Sequence, residues 1–329
     1  MPAPLSILDL APVRRGETPA DSFANSVALA RLAEDAGYRR VWYAEHHNMP
    51  RIASSATAVL IAHVAAHTDT IRLGAGGVML PNHSPLVIAE QFGTLASLNP
   101  DRIDLGLGRA PGSDRTTMYA LRRDHTSADR FPDDVLELQG YLRGESTVPG
   151  VDAYPGRGTD VPLYILGSSL FGAQLAAVLG LPYAFASHFS PDALEEAVAT
   201  YRREFRPSVQ LERPHVIAGV NVIAADTEAD AREQLQHAKR SRLRALARPG
   251  LSLTDEQADE VLASPQGAQI EHMVRYSAAG EPRQVRDYLD EFEKHADADE
   301  LIVALQSPNI EARLRSAQLL AEVSAPVAS

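Results

Sequence analysis

Arg40-Val41-Trp42-Tyr43, Ile71-Arg72-Leu73-Gly74-Ala75-Gly76-Gly77-Val78-Met79-Leu80 and Ile103-Asp104-Leu105-Gly106-Leu107-Gly108 are three short runs that decide the fold. An alanine-rich segment from about Ser54 to His67 separates the first two, and a helix opened by Pro85 separates the second from the third. Strands that alternate with helical patterns predict a parallel sheet, because neighbouring parallel strands need a crossover connection. Towards the N-terminus, Leu5–Leu10 reads as a preceding strand. Thr18 then supplies an N-cap, with Pro19 at the first helical position and Asp21 three residues after the cap. Phe23, Val27 and Ala30 share one face of that helix, and Gly37 ends it.

The alternation continues towards the C-terminus. Asp133–Leu142 is helical, Leu163–Leu166 is a strand, and a helix follows near Phe171–Leu179. Tyr183–Ala186 and His215–Ala224 are strands. Val285, Tyr288, Leu289 and Phe292 make an i, i+3, i+4, i+7 face, Leu301–Ala304 is an eighth strand, and Pro308 opens the last helix. Eight strands, nearly all separated by helices, predict an α/β (β/α)8 TIM barrel in preference to an open doubly wound sheet. With no linker dividing the chain, residues 1–329 read as one domain. Two stretches break the rhythm: Ala110–Arg130, polar and rich in Gly, Arg and Asp, and Gln234–Ala279, which carries Arg240, Arg242, Arg244 and Arg248. Connections this long in a barrel are lids or binding loops when they are ordered. Residues 234–279 are accordingly read as a mobile lid inserted before the last helix–strand unit.

Of the 329 residues 45% are hydrophobic, enough for a large core, and the formal net charge is −12, which argues against a nucleic-acid or anionic-membrane partner. With no cysteine, disulfides, thiolate nucleophiles and cysteine-ligated metal clusters are excluded. No apolar run approaches the length of a membrane span and no leader pattern is visible, so a soluble, cytoplasmic protein is expected.

Barrel chemistry gathers at the C-terminal ends of the strands. The second strand is followed by Glu45-His46-His47, the third contains Gly74-Ala75-Gly76-Gly77, the fourth ends in Gly106-Leu107-Gly108-Arg109, and the fifth ends in Gly167-Ser168-Ser169, with Gly172 near the next helix start. Each has a plain structural reading: a solvated polar rim, a bulge or tight packing, a surface ion pair, an N-cap. Yet histidine titrates near neutrality, glycines in a strand admit close approach of a flat ligand, and a Gly/Ser helix start offers amide and hydroxyl donors to phosphate. On consecutive strands of one rim these features converge on a flat, phosphorylated ligand. Competing motifs fail, since Pro111 occupies the third-glycine position of a GxGxxG. Adjacent His46 and His47 point to opposite sides of a strand, which disfavours joint chelation of a metal.

The runs Val41-Trp42-Tyr43-Ala44-Glu45-His46-His47, Arg72–Pro81 and Arg102–Arg109, in this order and spacing, resemble the bacterial-luciferase-like flavin-dependent monooxygenases. The resemblance extends from about Leu5 to Val323. It implies a barrel that uses reduced FMN, supplied by a separate NAD(P)H-dependent reductase, and dioxygen to oxygenate a small or polycyclic organic substrate through a flavin hydroperoxide. His46 is implied as the catalytic histidine, with Glu45 shaping the ring site and Gly76-Gly77 matching a non-proline cis peptide against the flavin. Arg109, Ser168, Ser169 and Gly172 are implied as phosphate contacts, and Arg130 as a second phosphate-contacting arginine. The family also implies a homodimer through the helix Ser54–His67, whose alternative role is packing on the barrel. Gly108 stands where the luciferase α subunit carries cysteine, which speaks against light emission but not against flavin binding. Three other readings stay open: deazaflavin-dependent hydride transfer, a non-catalytic FMN-binding paralogue, and a metal-dependent hydrolase built on Glu45, His46 and His83.

Overall fold

The computed structural model describes residues 2–110, 114–124, 126–247 and 253–324. Among them the apolar runs become β1 (Leu5–Asp9), β2 (Arg40–Tyr43), β3 (Arg72–Met79), β4 (Ile103–Gly108), β5 (Leu163–Gly167), β6 (Tyr183–Phe185), β7 (Val216–Ala224), β8 (Ser277–Gly280) and β9 (Glu300–Leu305). The helices are α1 (Pro19–Asp35), α2 (Thr57–Ala65), α3 (Pro85–Leu98), α4 (Arg115–Ala120), α5 (Phe131–Arg143) and α6 (Leu170–Leu179). They continue as α7 (Leu194–Glu204), α8 (Glu228–Leu246), α9 (Asp255–Leu262), α10 (Ala268–Met273), α11 (Pro282–His295) and α12 (Ile310–Ser324).

β1 to β7 pair in sequence, β7 pairs with β9 and β9 with β1, all parallel, so eight strands close a TIM barrel. The ninth strand was not expected. β8 lies outside the ring, paired with the far end of β7 from Asn221↔Ser277 to Ala224↔Gly280. Its sequence, Ser-Ala-Ala-Gly, carries none of the β-branched or aromatic residues that mark a strand.

Local rules account for the outer helices. Thr18 and Asp21 form the expected capping box on α1, and Gly37, at φ +78°, follows its end. α11 turns Val285, Leu289 and Phe292 inward. Along each strand side chains alternate: Ile7, Val41 and Tyr43 face the helices, whereas Leu8, Trp42 and Ala44 join Tyr164, Ala184, Ile217 and Ile302 inside the ring. Burial of each large apolar side chain contributes roughly 1.5–3 kcal/mol.

The bottom of the barrel is closed by charge. Arg40 Nη1 donates to Asp104 Oδ2 at 2.7 Å, and its Nε lies 2.9 Å from Glu300 Oε1. Trp42 Nε1 also donates to Asp104, and Ser6 Oγ to Glu300. Arg40, Asp104 and Glu300 are all buried. Burial alone would raise the Glu300 pKa, but hydrogen bonds from His215 and Ser6 and the Arg40 charge hold it below the usual carboxylate value.

Both irregular stretches contain regular structure. In Ala110–Arg130, α4 is capped by the Asp114 side chain, which accepts from Thr117 N, and Ser127–Arg130 is a 3-10 turn; residues 111–113, with Pro111, and 125 lie outside the described residues. The described residues of 234–279 are most of α8, then α9, α10 and nearly all of β8; residues 248–252, with Arg248, lie outside the described residues. α2 buries Leu60, Ile61, Val64 and Ala65 against the barrel and leaves Ala56, Val59, Ala62 and Ala66 exposed. No helix among the described residues is long and apolar enough to cross a membrane.

A candidate active site at the barrel mouth

Glu45 follows β2 and is almost wholly buried. Its Oε1 accepts from His47 Nε2 at 2.7 Å and from His83 Nε2 at 2.8 Å, and its Oε2 accepts from Met79 N at 3.1 Å. Burial works to raise the Glu45 pKa, but these donors prevail and hold it below the ordinary value. The same carboxylate raises His47, against burial. Among the described residues Glu45, His47 and His83 are the only His/carboxylate set with ligand atoms within 4.8 Å of one another. This corrects the expected trio: His47, not His46, stands beside Glu45 and His83. Glu45 and His47 are two positions apart, with only His46 between them, which puts their side chains on the same side of an extended chain.

His46 points elsewhere. Its backbone N–H donates to Ser54 O at 2.9 Å, which fixes the turn after β2. Its Nδ1 is buried and has no hydrogen-bond partner among the described residues. Burial lowers its pKa, more than the Ala44 carbonyl and the Glu45 charge raise it, so the ring is neutral at pH 7.

The Gly76–Gly77 peptide is cis, and the β3–β4 register shifts between Ala75 and Val78. Close packing explains both glycines. A Cβ on Gly76 would lie 2.9 Å from Trp42 Cβ, and one on Gly77 would lie 2.7 Å from Gly106 O. Glu45 N donates to Gly77 O at 3.3 Å, tying this irregular segment to the end of β2.

Arg109 follows β4 and is exposed, with its guanidinium carbon 4.1 Å from the centre of the Phe171 ring. Phe171 is the second residue of α6, whose N-cap, Ser169, makes no side-chain capping bond. Ser168 and Ser169 therefore begin a helix with uncapped amides beside a cation that has no carboxylate partner among the described residues. Gly172 fits the first turn of α6 against Tyr183, whose Cε2 would lie 3.3 Å from an added Cβ; Tyr183 Oη donates to Ser169 O. Arg130 sits at the start of α5, largely exposed and paired with Asp134 at 3.5 Å.

Sequence reasoning missed the far side of the mouth. His188 follows β6, and its Nδ1 is buried without a partner among the described residues. A Cβ on Gly219 of β7 would lie 2.4 Å from that nitrogen, so the ring packs directly on bare backbone. Asn221 Nδ2 donates to His188 O at 2.7 Å, and Gln306 Nε2 donates to Asn221 Oδ1 at 2.9 Å. Burial first, then Arg242 and His46, depress the His188 pKa to about 3. The clue available was position: Ser187-His188 follows the sixth strand as Glu45-His46 follows the second.

Residues 4–298 match the family model described as luciferase-like monooxygenase, and the chain belongs to that family. A luciferase-like monooxygenase of Escherichia coli (strain K12) is 48% identical over 322 residues, covering 97% of this chain and 96% of that protein. Among solved structures, apo-MsnO8 is 38% identical with a TM-score of 0.85, covering 97% of this chain and 98% of that one. The oxygenating constituent of 3,6-diketocamphane monooxygenase from Pseudomonas putida, in complex with FMN, shares the fold at a TM-score of 0.72 and 16% identity, covering 97% of each chain.

Proposed function

We propose that this protein is an FMN-dependent monooxygenase whose ring site lies between β2, β3 and the far wall of the barrel. One observation supports the reading: Arg109, without a carboxylate partner among the described residues, stands beside the uncapped start of α6, two strands round the mouth from His46 and its buried Nδ1. Arg109, the Ser168 and Ser169 hydroxyls and the first amides of α6 would hold the phosphate, with Gly172 letting α6 pack close to the barrel wall. Arg130 is a second candidate for the phosphate, reached by leaving Asp134. Glu45 fixes the β2–β3 rim through its bond to Met79 and the Gly77 carbonyl's bond to its own amide, so Gly76-Gly77 presents a set backbone surface to the ring.

Reduced FMN supplies the chemistry when bound: it activates dioxygen, so that one oxygen atom enters an organic substrate and the other leaves as water. The chain contributes orientation, exclusion of water and one proton site at His46 Nδ1. The P. putida structure, itself a complex with FMN, makes FMN the first cofactor to test. A separate NAD(P)H-dependent reductase would deliver it reduced, a cytoplasmic location follows from that supply, and the exposed alanines and Val59 of α2 would form the homodimer contact.

The test is stopped-flow mixing of the protein and anaerobically reduced FMN with oxygen. Bound flavin is expected to reoxidise at a rate distinct from free flavin and to respond to substrate. Reoxidation indistinguishable from that of free flavin removes the oxygenase reading. Binding of the deazaflavin coenzyme instead of FMN would favour hydride transfer.

A further inference from the structure

The cations of α8 divide sharply. Arg232 pairs with Glu228 at 2.6 Å, Lys239 with Glu271 at 2.8 Å, Arg240 with Asp259 at 2.5 Å and Arg244 with Asp255 at 2.5 Å. Arg242 has neither an ion pair nor a hydrogen bond among the described residues. Carboxylates are not scarce, since the chain has 43 Asp and Glu against 31 Lys and Arg. Nor is Arg242 in open solvent: it is half-buried, and burial pulls its pKa down with no acid to offset the loss of hydration.

Helical spacing shows where it points. Ala231, Leu235, Ala238 and Arg242 follow one another at intervals of four, three and four residues, along a single face of α8. Ala231 and Leu235 pack with Ile223, Ala225 and Ala279, which places this face against the β7–β8 edge of the barrel. One and two turns further, the face reaches the mouth, where the Arg242 charge is felt by His188 and helps keep that ring neutral. His188 is also within electrostatic reach of His46. The phosphate grip at Arg109 belongs to β4 and β5; Arg242 meets the mouth from β6 and β7.

A half-buried guanidinium costs hydration that only a counter-charge restores, and buried charges in folded proteins are accordingly paired. We propose that Arg242 is the anchor of a substrate-binding subsite and that the substrate is an organic anion, a carboxylate in the first instance, whose charged end lies against Arg242. The rest of the substrate then extends from α8 towards His46. This assignment rests on the flavin-dependent reading only for which atoms react; the subsite itself stands on this chain alone.

The experiment is calorimetric titration of the full-length protein, with and without FMN, by matched carboxylate and amide pairs having straight-chain, thioether and aromatic bodies. In the wild type at least one carboxylate should bind about 10- to 100-fold more tightly than its amide, the range of a charge-assisted hydrogen-bond pair. In Arg242→Met, and in Arg242→Gln as a second variant, that preference should fall to within about threefold, with amide and FMN affinities unchanged. The proposal is overturned if no carboxylate outbinds its amide in the wild type, or if the preference survives in both variants. It is also overturned if Arg242→Met weakens FMN as Arg109→Met does, which would make Arg242 a cofactor contact. A protein that takes no FMN yet prefers the carboxylate would refute the flavin reading and leave this one standing.

Discussion

The Arg109 guanidinium lies 4.1 Å over the ring of Phe171, so the end of β4 and the first turn of α6 are held together by a contact that leaves the arginine's N–H edges free. Cation–π stacking uses the flat face of the group, and its five donors remain in the plane. Arg109→Met should therefore weaken FMN binding by about 10- to 100-fold, whereas Phe171→Ala should cost only about three- to fivefold by loosening the arginine's orientation. Flavin-fluorescence titration of both variants checks the order. Equal losses would mean that the ring, not the charge, holds the cofactor.

His46→Ala should lower turnover by about 10²–10⁴ with FMN affinity nearly unchanged, because the side chain acts on a proton and not on the phosphate. Substrate-coupled product formation measured against the FMN titration separates the two effects. Undiminished turnover would remove His46 from the mechanism.

Glu45 keeps His47 more basic than usual. In Glu45→Gln the charge goes while the shape stays, so the His47 pKa should fall towards about 6.5. Imidazole proton resonances followed through a pH titration give the value directly, and an unmoved His47 would mean that the carboxylate does not set it.

His188 supplies an acid-sensitivity with a definite sign. Its folded-state pKa, about 3, is below that of an unfolded histidine, so the unfolded chain takes up the proton first. Its contribution is intact above about pH 6.5 and is lost as pH falls from there, with a slope of up to ~1.4 kcal/mol per pH unit. His47, raised rather than lowered, is protonated in both states below that point and adds no slope. Urea unfolding at pH 7, 6 and 5 should show a steeper fall for the wild type than for His188→Gln. Parallel curves would contradict the assignment.

At the opposite end, Arg40→Met should destabilise the fold by about 3–5 kcal/mol, because Asp104 and Glu300 would be left buried without their cation. Urea denaturation measures it, and a loss below about 1 kcal/mol would show that water compensates.

Elements with strong local chemistry were legible in sequence. Thr18, Pro19 and Asp21 fix the start of α1 through bonds made within three residues, and Val285, Leu289 and Phe292 show the face of α11 by period alone. β8 was not legible, since Ser277–Gly280 is a strand only because β7 runs past the ring and offers it an edge. The Ala110–Arg130 and 234–279 stretches read as loops because their helices are charged and solvated on most sides, which dilutes any apolar stripe. In the site, the strand-end rule located Glu45, His46 and Arg109. It did not say that Glu45 would turn to His47 and His83, since that choice depends on where β3's irregularity places Met79 and the residues beyond it. Arg242 was visible only as one arginine among several; its distinction is a missing partner, which a linear chain does not display.

The pairing of β8 with the overhanging end of β7 gives the first turns of α8 an apolar footing through Ala231 and Leu235. The described residues between Ala224 and Ser277 thus form a cartridge carried on the β6–β7–β8 side of the ring. Replacing this cartridge would change the α8 face and its Arg242 while leaving the eight strands that close the ring untouched.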